Sequence, residues 1–299
     1  AMNTLSTNPL SSAHPGYILT IICPDRPGIV FAVSQFLYEQ QCNIVDSAQY
    51  TDHFSGRFFM RIHFEQIEKP LQMTLVEENF SSIQNRFQMD AKFYNLQQKP
   101  RVLIMVSKFG HCLNDLLFRT KTGSLPIEIA GIGSNHHDFN DLAKSYQIPY
   151  HYFAISSADD GRKNDVEQQL LDLIEKEKID LVVLARYMQI LSPRMCEALA
   201  GKVINIHHSF LPSFKGAKPY LQAHQRGVKL IGATAHYVTT DLDEGPIIEQ
   251  EVSRVNHSMT PDQLTAIGRD VESIALARAI QWQAEHRILL NGKSTVIFQ

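Results

Sequence analysis

The chain has 299 residues, of which 44% are hydrophobic, with a formal net charge of −3 and a pI near 6.5; it holds enough apolar surface for a full core, and its length favours two domains. The nearly neutral balance gives no electrostatic reason to bind nucleic acid or an anionic membrane surface, so the expected partner is a small soluble molecule. No apolar run reaches the ~20 residues of a membrane span, the polar first 15 residues lack a signal peptide's apolar core, and Cys23, Cys42, Cys112 and Cys196 are too scattered for a disulfide framework or zinc knuckle, so a reduced, cytoplasmic protein is expected.

Residues 1–15, rich in Ser, Thr, Asn and Pro, predict a mobile tail. From Gly16 the pattern predicts a strand over 17–23, a helix over 28–40, strands over 43–50 and 57–64 around a Ser55-Gly56 turn, a helix over 71–86, and a last strand in "FQMDAKFYNL". That order is βαββαβ, a ferredoxin-like domain over 16–96. Phe58, Met60 and Ile62 recur at period two and predict an apolar surface that a second copy covers, hence a homo-oligomer. In "DRPGI" Asp25 reads as a helix cap, Pro27 as the first helical residue, and Gly28 as a close-packing position.

The polar "QQKPR", 97–101, reads as a linker, and 102–299 as a second domain. Its apolar runs, "RVLIMVS", "LPIEIAGIG", "IPYHYFAI", "IDLVVLA" and "KVINIHH", alternate with helix-length polar segments, which predicts a Rossmann-like α/β fold with a mostly parallel sheet buried on both faces. Two more strands, in "KLIGATAHYVTT" and "PIIEQEVSRV", a helix over 261–286 and a short terminal strand follow. "GIGSN", 131–135, lacks the third glycine of a dinucleotide fingerprint and reads as a turn in which Ser134 or Asn135 caps the next helix. His136-His137 and His207-His208 are adjacent pairs, a poor spacing for metal ligation, so no metal is expected. Cys112 reads as a packed, inert thiol.

In such sheets the working residues lie beyond the carboxyl ends of the strands, and "INIHHSFLPSFKGAKPY", 204–220, lies there. Asn205 and His207 leave an extended segment on one side, whereas His208 points away unless the backbone turns. Leu211-Pro212 offers a cis bond to shape the loop, and Lys215, Lys218 and Tyr220 are candidates for contact with an anionic substrate tail. His236 falls in a strand, and Asp243 in an acidic turn closed by Gly245-Pro246. Asn, His and Asp brought together can stabilise an oxyanion and move protons.

"N-I-H-x-S-F-L-P", followed by "L-D-E-G-P-I-I" with its aspartate 36 residues after His207 and preceded by "LARYMQILS", resembles the signature of the formyltransferases that use 10-formyltetrahydrofolate. The N-terminal domain, with its "D-R-P-G-I" turn, resembles an ACT domain, and the two together resemble the formyltetrahydrofolate deformylase family. The resemblance implies hydrolysis of 10-formyltetrahydrofolate to formate and tetrahydrofolate, which balances one-carbon pools for purine biosynthesis, with folate as substrate and no cofactor. It implies catalysis by Asn205, protonated His207 and Asp243. It also implies a folate pocket of Leu184, Met188, Ile190, Leu191, Val203, His236 and Val238, with backbone groups of Gln189 and Leu191 reading the pterin edge. For the ACT domain it implies an amino-acid site, with methionine and glycine as effectors, made by Asp25, Arg26, Pro27, Gly28 and Ile29 against Asn43 and Ile44 of a second copy in a homodimer or homotetramer.

Two departures from glycinamide ribonucleotide transformylases favour hydrolysis. "SKFGHCLNDLLFR" stands where those enzymes carry a glycine-rich phosphate loop, and His208 where they usually carry proline. Phe109, His111 and His208 are expected to fill the space that a transferase leaves for its acceptor. The competing readings are a transferase acting on an amine, and a non-catalytic amino-acid or folate sensor, which leaves the Asn, His and Asp set without a role.

Overall fold

The computed structural model describes residues 16–155, 160–208 and 218–299. The expected tail over 1–15, the Leu211-Pro212 bond and Lys215 lie outside the described residues. The chain divides between Gln98 and Lys99 into two compact units.

The first unit contains β1 (Gly16–Pro24), α1 (Ile29–Glu39), β2 (Cys42–Asp52), β3 (Arg57–Gln66), α2 (Met73–Phe87) and β4 (Asp90–Asn95). Its sheet runs β2-β3-β1-β4 with antiparallel pairing throughout, the ferredoxin-like order. Alternate residues of β1 (Tyr17, Leu19, Ile21, Cys23) and β3 (Phe58, Met60, Ile62, Phe64) face Val33, Phe36, Leu37, Val76 and Phe80 of the helices. Phe58, Met60 and Ile62 therefore form this unit's own core, at 3%, 1% and 0% exposure, and the pairing surface expected from them is corrected. Of the two edge strands, β2 and β4, β2 is bulged between Ile44 and Asp46 and has Val45 and Tyr50 exposed.

The start of α1 also differs from expectation. Its N-cap is Gly28, at φ 95°, with no side-chain cap, so Asp25 does not cap and Pro27 precedes the helix. Gly28 is required by this left-handed backbone and not by crowding, since an added Cβ would meet only Phe87 Cζ, at 3.9 Å. The turn is held instead by the Asp25 N–H on the Gly56 carbonyl (2.9 Å), and by Arg26, which lies over the Phe87 ring and donates to the Arg86 carbonyl.

The second unit opens with β5 (Arg101–Val106), α3 (His111–Lys121), β6 (Glu128–Ser134), α4 (Asn140–Ser145) and β7 (Tyr150–Tyr152). The chain then crosses to α5 (Asp160–Lys176), β8 (Leu181–Leu184), α6 (Pro193–Ala198), β9 (Val203–His207) and α7 (Pro219–Arg226). It closes with β10 (Leu230–Tyr237), β11 (Ile247–Arg254), α8 (Pro261–Ala284) and a hairpin of β12 (Ile288–Asn291) and β13 (Ser294–Ile297). The seven-stranded sheet runs β11-β10-β9-β8-β5-β6-β7, parallel from β9 to β7, with β10 and β11 added antiparallel.

Successive residues of the central strands serve opposite faces. Val102, Ile104, Val106, Val183, Ile204 and Ile206 pack with Leu113, Leu117, Leu276 and Ile280 of α3 and α8, while Leu103, Met105, Val182, Leu184 and Val203 pack with Val166, Leu170 and Met195 of α5 and α6. Strand order reverses between β5 and β8, where a crevice at the strands' carboxyl ends is a ready ligand site. The "GIGSN" turn is tied to the end of β5 through Ser107. Ser134 Oγ accepts from the His136 N–H and Asn135 Oδ1 from Ser107 Oγ, so neither caps α4, which has no side-chain cap.

Candidate active site

β9 carries Val203, Asn205 and His207 on the face covered by α5 and α6, and its register sets Asn205 between Leu184 of β8 and His236 of β10. A bulge between Ala235 and His236 interrupts the β10–β11 pairing there. His236 Nδ1 lies 2.8 Å from the Tyr237 carbonyl, so the proton sits on Nδ1 and is donated to that oxygen. Nε2 is then an acceptor, 3.4 Å from Asn205 Nδ2. This contact sets the orientation of the Asn205 amide and leaves a second N–H for a ligand.

Asp243 arrives from the loop between β10 and β11, with its own backbone left-handed at φ 57°, a conformation that aspartate tolerates better than most residues. Its Oδ1 stands 3.6 Å from His207 Nδ1 and 3.9 Å from His236 Nε2. Burial is the largest influence on His207 and lowers its pKa; it outweighs the opposing pull of Asp243, so the resting ring is neutral near pH 7. His208, also desolvated and next to Arg186, is pushed down to about 4. Its ring lies 5.0 Å from that of His207, and both line one cavity, so the backbone does turn after β9.

That cavity, about 350 Å³, joins the polar groups to an apolar wall. Leu184, Met188, Gln189, Ile190, Leu191, His236 and Val238 line it with Asn205, His207 and Asp243, as expected. Val203 does not: it is 1% exposed and packs in the core behind Leu184, because its side chain is covered before the strand reaches the crevice. Ser107 accepts from the Met188 N–H (3.0 Å), and Glu167 from the Ser192 N–H (2.9 Å), which pins both ends of the wall segment. Arg186, Tyr187, Cys196, Thr239, Thr240, Asp241 and Leu242 also line the cavity and were not anticipated.

Tyr220 donates to Glu272 Oε2, which corrects its assignment to a substrate tail; Lys218 is the left-handed N-cap of α7. Of the expected wall, His208 reaches the cavity, Phe109 lies under the Arg186 guanidinium at 5.0 Å, and His111 faces Glu272 at 3.5 Å. Glu272, fully buried, was missed, although it sits among Gly268, Val271, Ala275 and Leu276 on the apolar stripe of α8, where a carboxylate signals a buried partner. In the first unit Asn43 is exposed and Ile44 half-buried on the β2 edge.

All four cysteines are unpaired, and burial raises the Cys112 thiol to about 12, consistent with an inert packed residue. Among the described residues no group of three or more His, Cys, Asp or Glu could hold a metal ion, and no helix is long and apolar enough to cross a membrane.

Residues 17–74 match the ACT domain family and residues 100–280 the formyl transferase family. A formyltetrahydrofolate deformylase of Corynebacterium sp. (strain P-1) is 50% identical over 283 residues, 95% of this chain and 98% of that protein. The Bacillus subtilis (strain 168) formyltetrahydrofolate deformylase is 46% identical over 281 residues, 94% of this chain and 93% of that protein. The crystal structure of the Burkholderia mallei formyltetrahydrofolate deformylase superposes with a TM-score of 0.91 at 50% identity, covering 95% of this chain and all of that one. With the ACT unit, the formyltransferase unit and full-length likeness in place, the chain belongs to the formyltetrahydrofolate deformylase family.

Proposed function

We propose that the chain hydrolyses 10-formyltetrahydrofolate to formate and tetrahydrofolate at the Asn205, His207 and Asp243 site. The observation that carries the chemistry is the arrangement of these three side chains at the mouth of one apolar cavity, with Asp243 3.6 Å from His207 and the Asn205 amide aligned by His236. Asn205 donates to the formyl oxygen as it becomes an oxyanion. His207, neutral at rest, takes a proton from the attacking water, and Asp243 stabilises the resulting imidazolium. The C–O bond to water forms, the oxyanion collapses, and the formyl C–N10 bond breaks as His207 returns the proton to N10. The pterin lies along Leu184, Met188, Ile190, Leu191 and Val238, with the backbone of Gln189 and Leu191 at its polar edge.

Three further parts belong to this reading. The "DRPGI" turn and the Asn43–Ile44 edge form an amino-acid effector site, with methionine and glycine as candidates. β2 pairs in a homodimer or homotetramer, since it is an edge strand with exposed Val45 and Tyr50. The protein acts in the cytoplasm, where the formate it supplies feeds purine biosynthesis.

The test is to incubate the protein with 10-formyltetrahydrofolate alone. Stoichiometric formate and tetrahydrofolate are expected; turnover only when an amine is added would replace this reading with a transferase.

A further inference from the structure

A charged cluster that the proposed hydrolysis does not use lies at the edge of the same site. Glu272 of α8 is 0% exposed, yet it is met from three other segments: by Arg186 after β8, by His111 at the start of α3 (3.5 Å), and by the Tyr220 hydroxyl of α7 (3.1 Å). Burial alone would push its carboxyl up, but His111 and Arg186 beside it more than offset it, so Glu272 is ionised. Such a cluster is a poor way to gain stability, because well-packed apolar residues of the same volume do as well or better. The helix also makes room for it. At Gly268 a Cβ would stand 2.1 Å from the Tyr220 ring and hydroxyl, so α8 carries an interior glycine, unfavourable in a helix, where Tyr220 enters.

Its position gives the cluster a use. Asn205 and His207 work on the face of the sheet covered by α5 and α6, where the folate cavity is, whereas Glu272 and His111 belong to the helices of the opposite face. Arg186 spans the two: it lines the cavity and reaches back to Glu272, with Phe109 beneath its guanidinium. A formyl group held at Asn205 has folate on one side. Among the described residues, Arg186 and His208 line the cavity beside Asn205, and Arg186 leads from there to Glu272.

We propose that the Arg186, Glu272, His111 and Tyr220 cluster fills the approach to the formyl carbon from the α8 side and so reserves that carbon for water, excluding amines. This rests on the hydrolase reading above and names what sets its acceptor. Opening the approach lets an amine nitrogen attack in place of water: the new C–N bond forms, the C–N10 bond breaks, and the proton lost by the amine goes to N10.

The experiment measures partition, which a merely structural role does not move. Full-length protein is incubated with 10-formyltetrahydrofolate and hydroxylamine or glycinamide at about 100 mM, and the ratio of N-formylated amine to formate is read against an enzyme-free blank. The parent protein should give almost only formate, and the double variant R186A/E272A, which removes both partners of the ion pair together, should raise the ratio at least tenfold. Tyr220→Ala, which keeps the ion pair, should raise it severalfold and decides the matter if the double variant does not fold. Variants that turn over with the parent's ratio would overturn the proposal. Absence of formate from the parent protein would instead overturn the hydrolase reading.

Discussion

Gly245 lies so close to Tyr237 that a Cβ on it would stand 1.7 Å from the Tyr237 carbonyl oxygen, the same oxygen that accepts from His236 Nδ1. The glycine thereby clamps the end of the Asp243 loop onto β10 and holds the carboxylate beside His207. Gly245→Ala cannot keep this contact, since backbone does not yield as a side-chain tip would. The expected outcome is a loss of turnover of about a hundredfold with the fold retained, because a 1 Å misplacement of a catalytic group has that order of effect. Steady-state kinetics with circular dichroism checks it; unchanged turnover would show that the loop is not positioned by this contact.

Asn205→Ala and Asp243→Ala should each lower kcat by at least about a hundredfold while folate binding stays within a few-fold, since oxyanion donors and proton-transfer partners act mainly in the transition state. His207→Asn should do the same by removing the proton carrier. His236→Leu is expected to cost less, about tenfold, because it frees the Asn205 amide without removing it. Titration with a non-reactive reduced folate separates binding from turnover, and near-normal kcat in the Asn205 or Asp243 variant would end the assignment.

Stability should fall in mild acid. The His208 ring binds its proton near pH 4 in the folded chain and near 6.5 when unfolded, so between these values the unfolded chain holds more protons. Stability is therefore intact above about pH 6.5 and declines as pH drops towards 4, by roughly 2 kcal/mol from this ring after allowance for solvent screening. His207 is lowered too and adds a contribution of the same sign. Urea unfolding at pH 7 and pH 4.5 measures the loss, and His208→Asn, which cannot be charged, should reduce it. An identical pH dependence in the variant would exclude His208 as the source.

In the first unit Phe80 is 0% exposed and meets the rings of Phe36 at 5.0 Å and Phe93 at 5.4 Å, which ties α2 to both α1 and β4. Phe80→Ala should destabilise that unit by about 3–5 kcal/mol, through lost burial and a cavity that the two flanking rings cannot collapse into. Calorimetry should show an early transition for this unit. A single unshifted transition would mean that the aromatic cluster contributes little.

The amino-acid sequence by itself determined the two folds and the address of the chemistry. The βαββαβ order of elements, and the continuous apolar runs of β5, β8 and β9, make the ferredoxin-like unit and the buried parallel sheet legible, whereas the side to which Phe58, Met60 and Ile62 turn was not. Asn205 and His207, two apart on a strand, share a face in any extended backbone, and an aspartate in a turn after the next strand can reach them. Local caps were less legible: whether Asp25 or Gly28 ends α1 depends on backbone angles set by the Gly56 turn and the end of α2. The charge state of His207, the partners of Glu272, the turn that brings His208 beside His207, and the withdrawal of Val203 behind the cavity were decided by tertiary structure alone. Each depends on how much water the neighbouring elements exclude and which partners they bring from distant parts of the chain, as Glu272 receives Arg186, His111 and Tyr220. Desolvation and pairing are sums over that three-dimensional neighbourhood, and no local pattern of residues carries them.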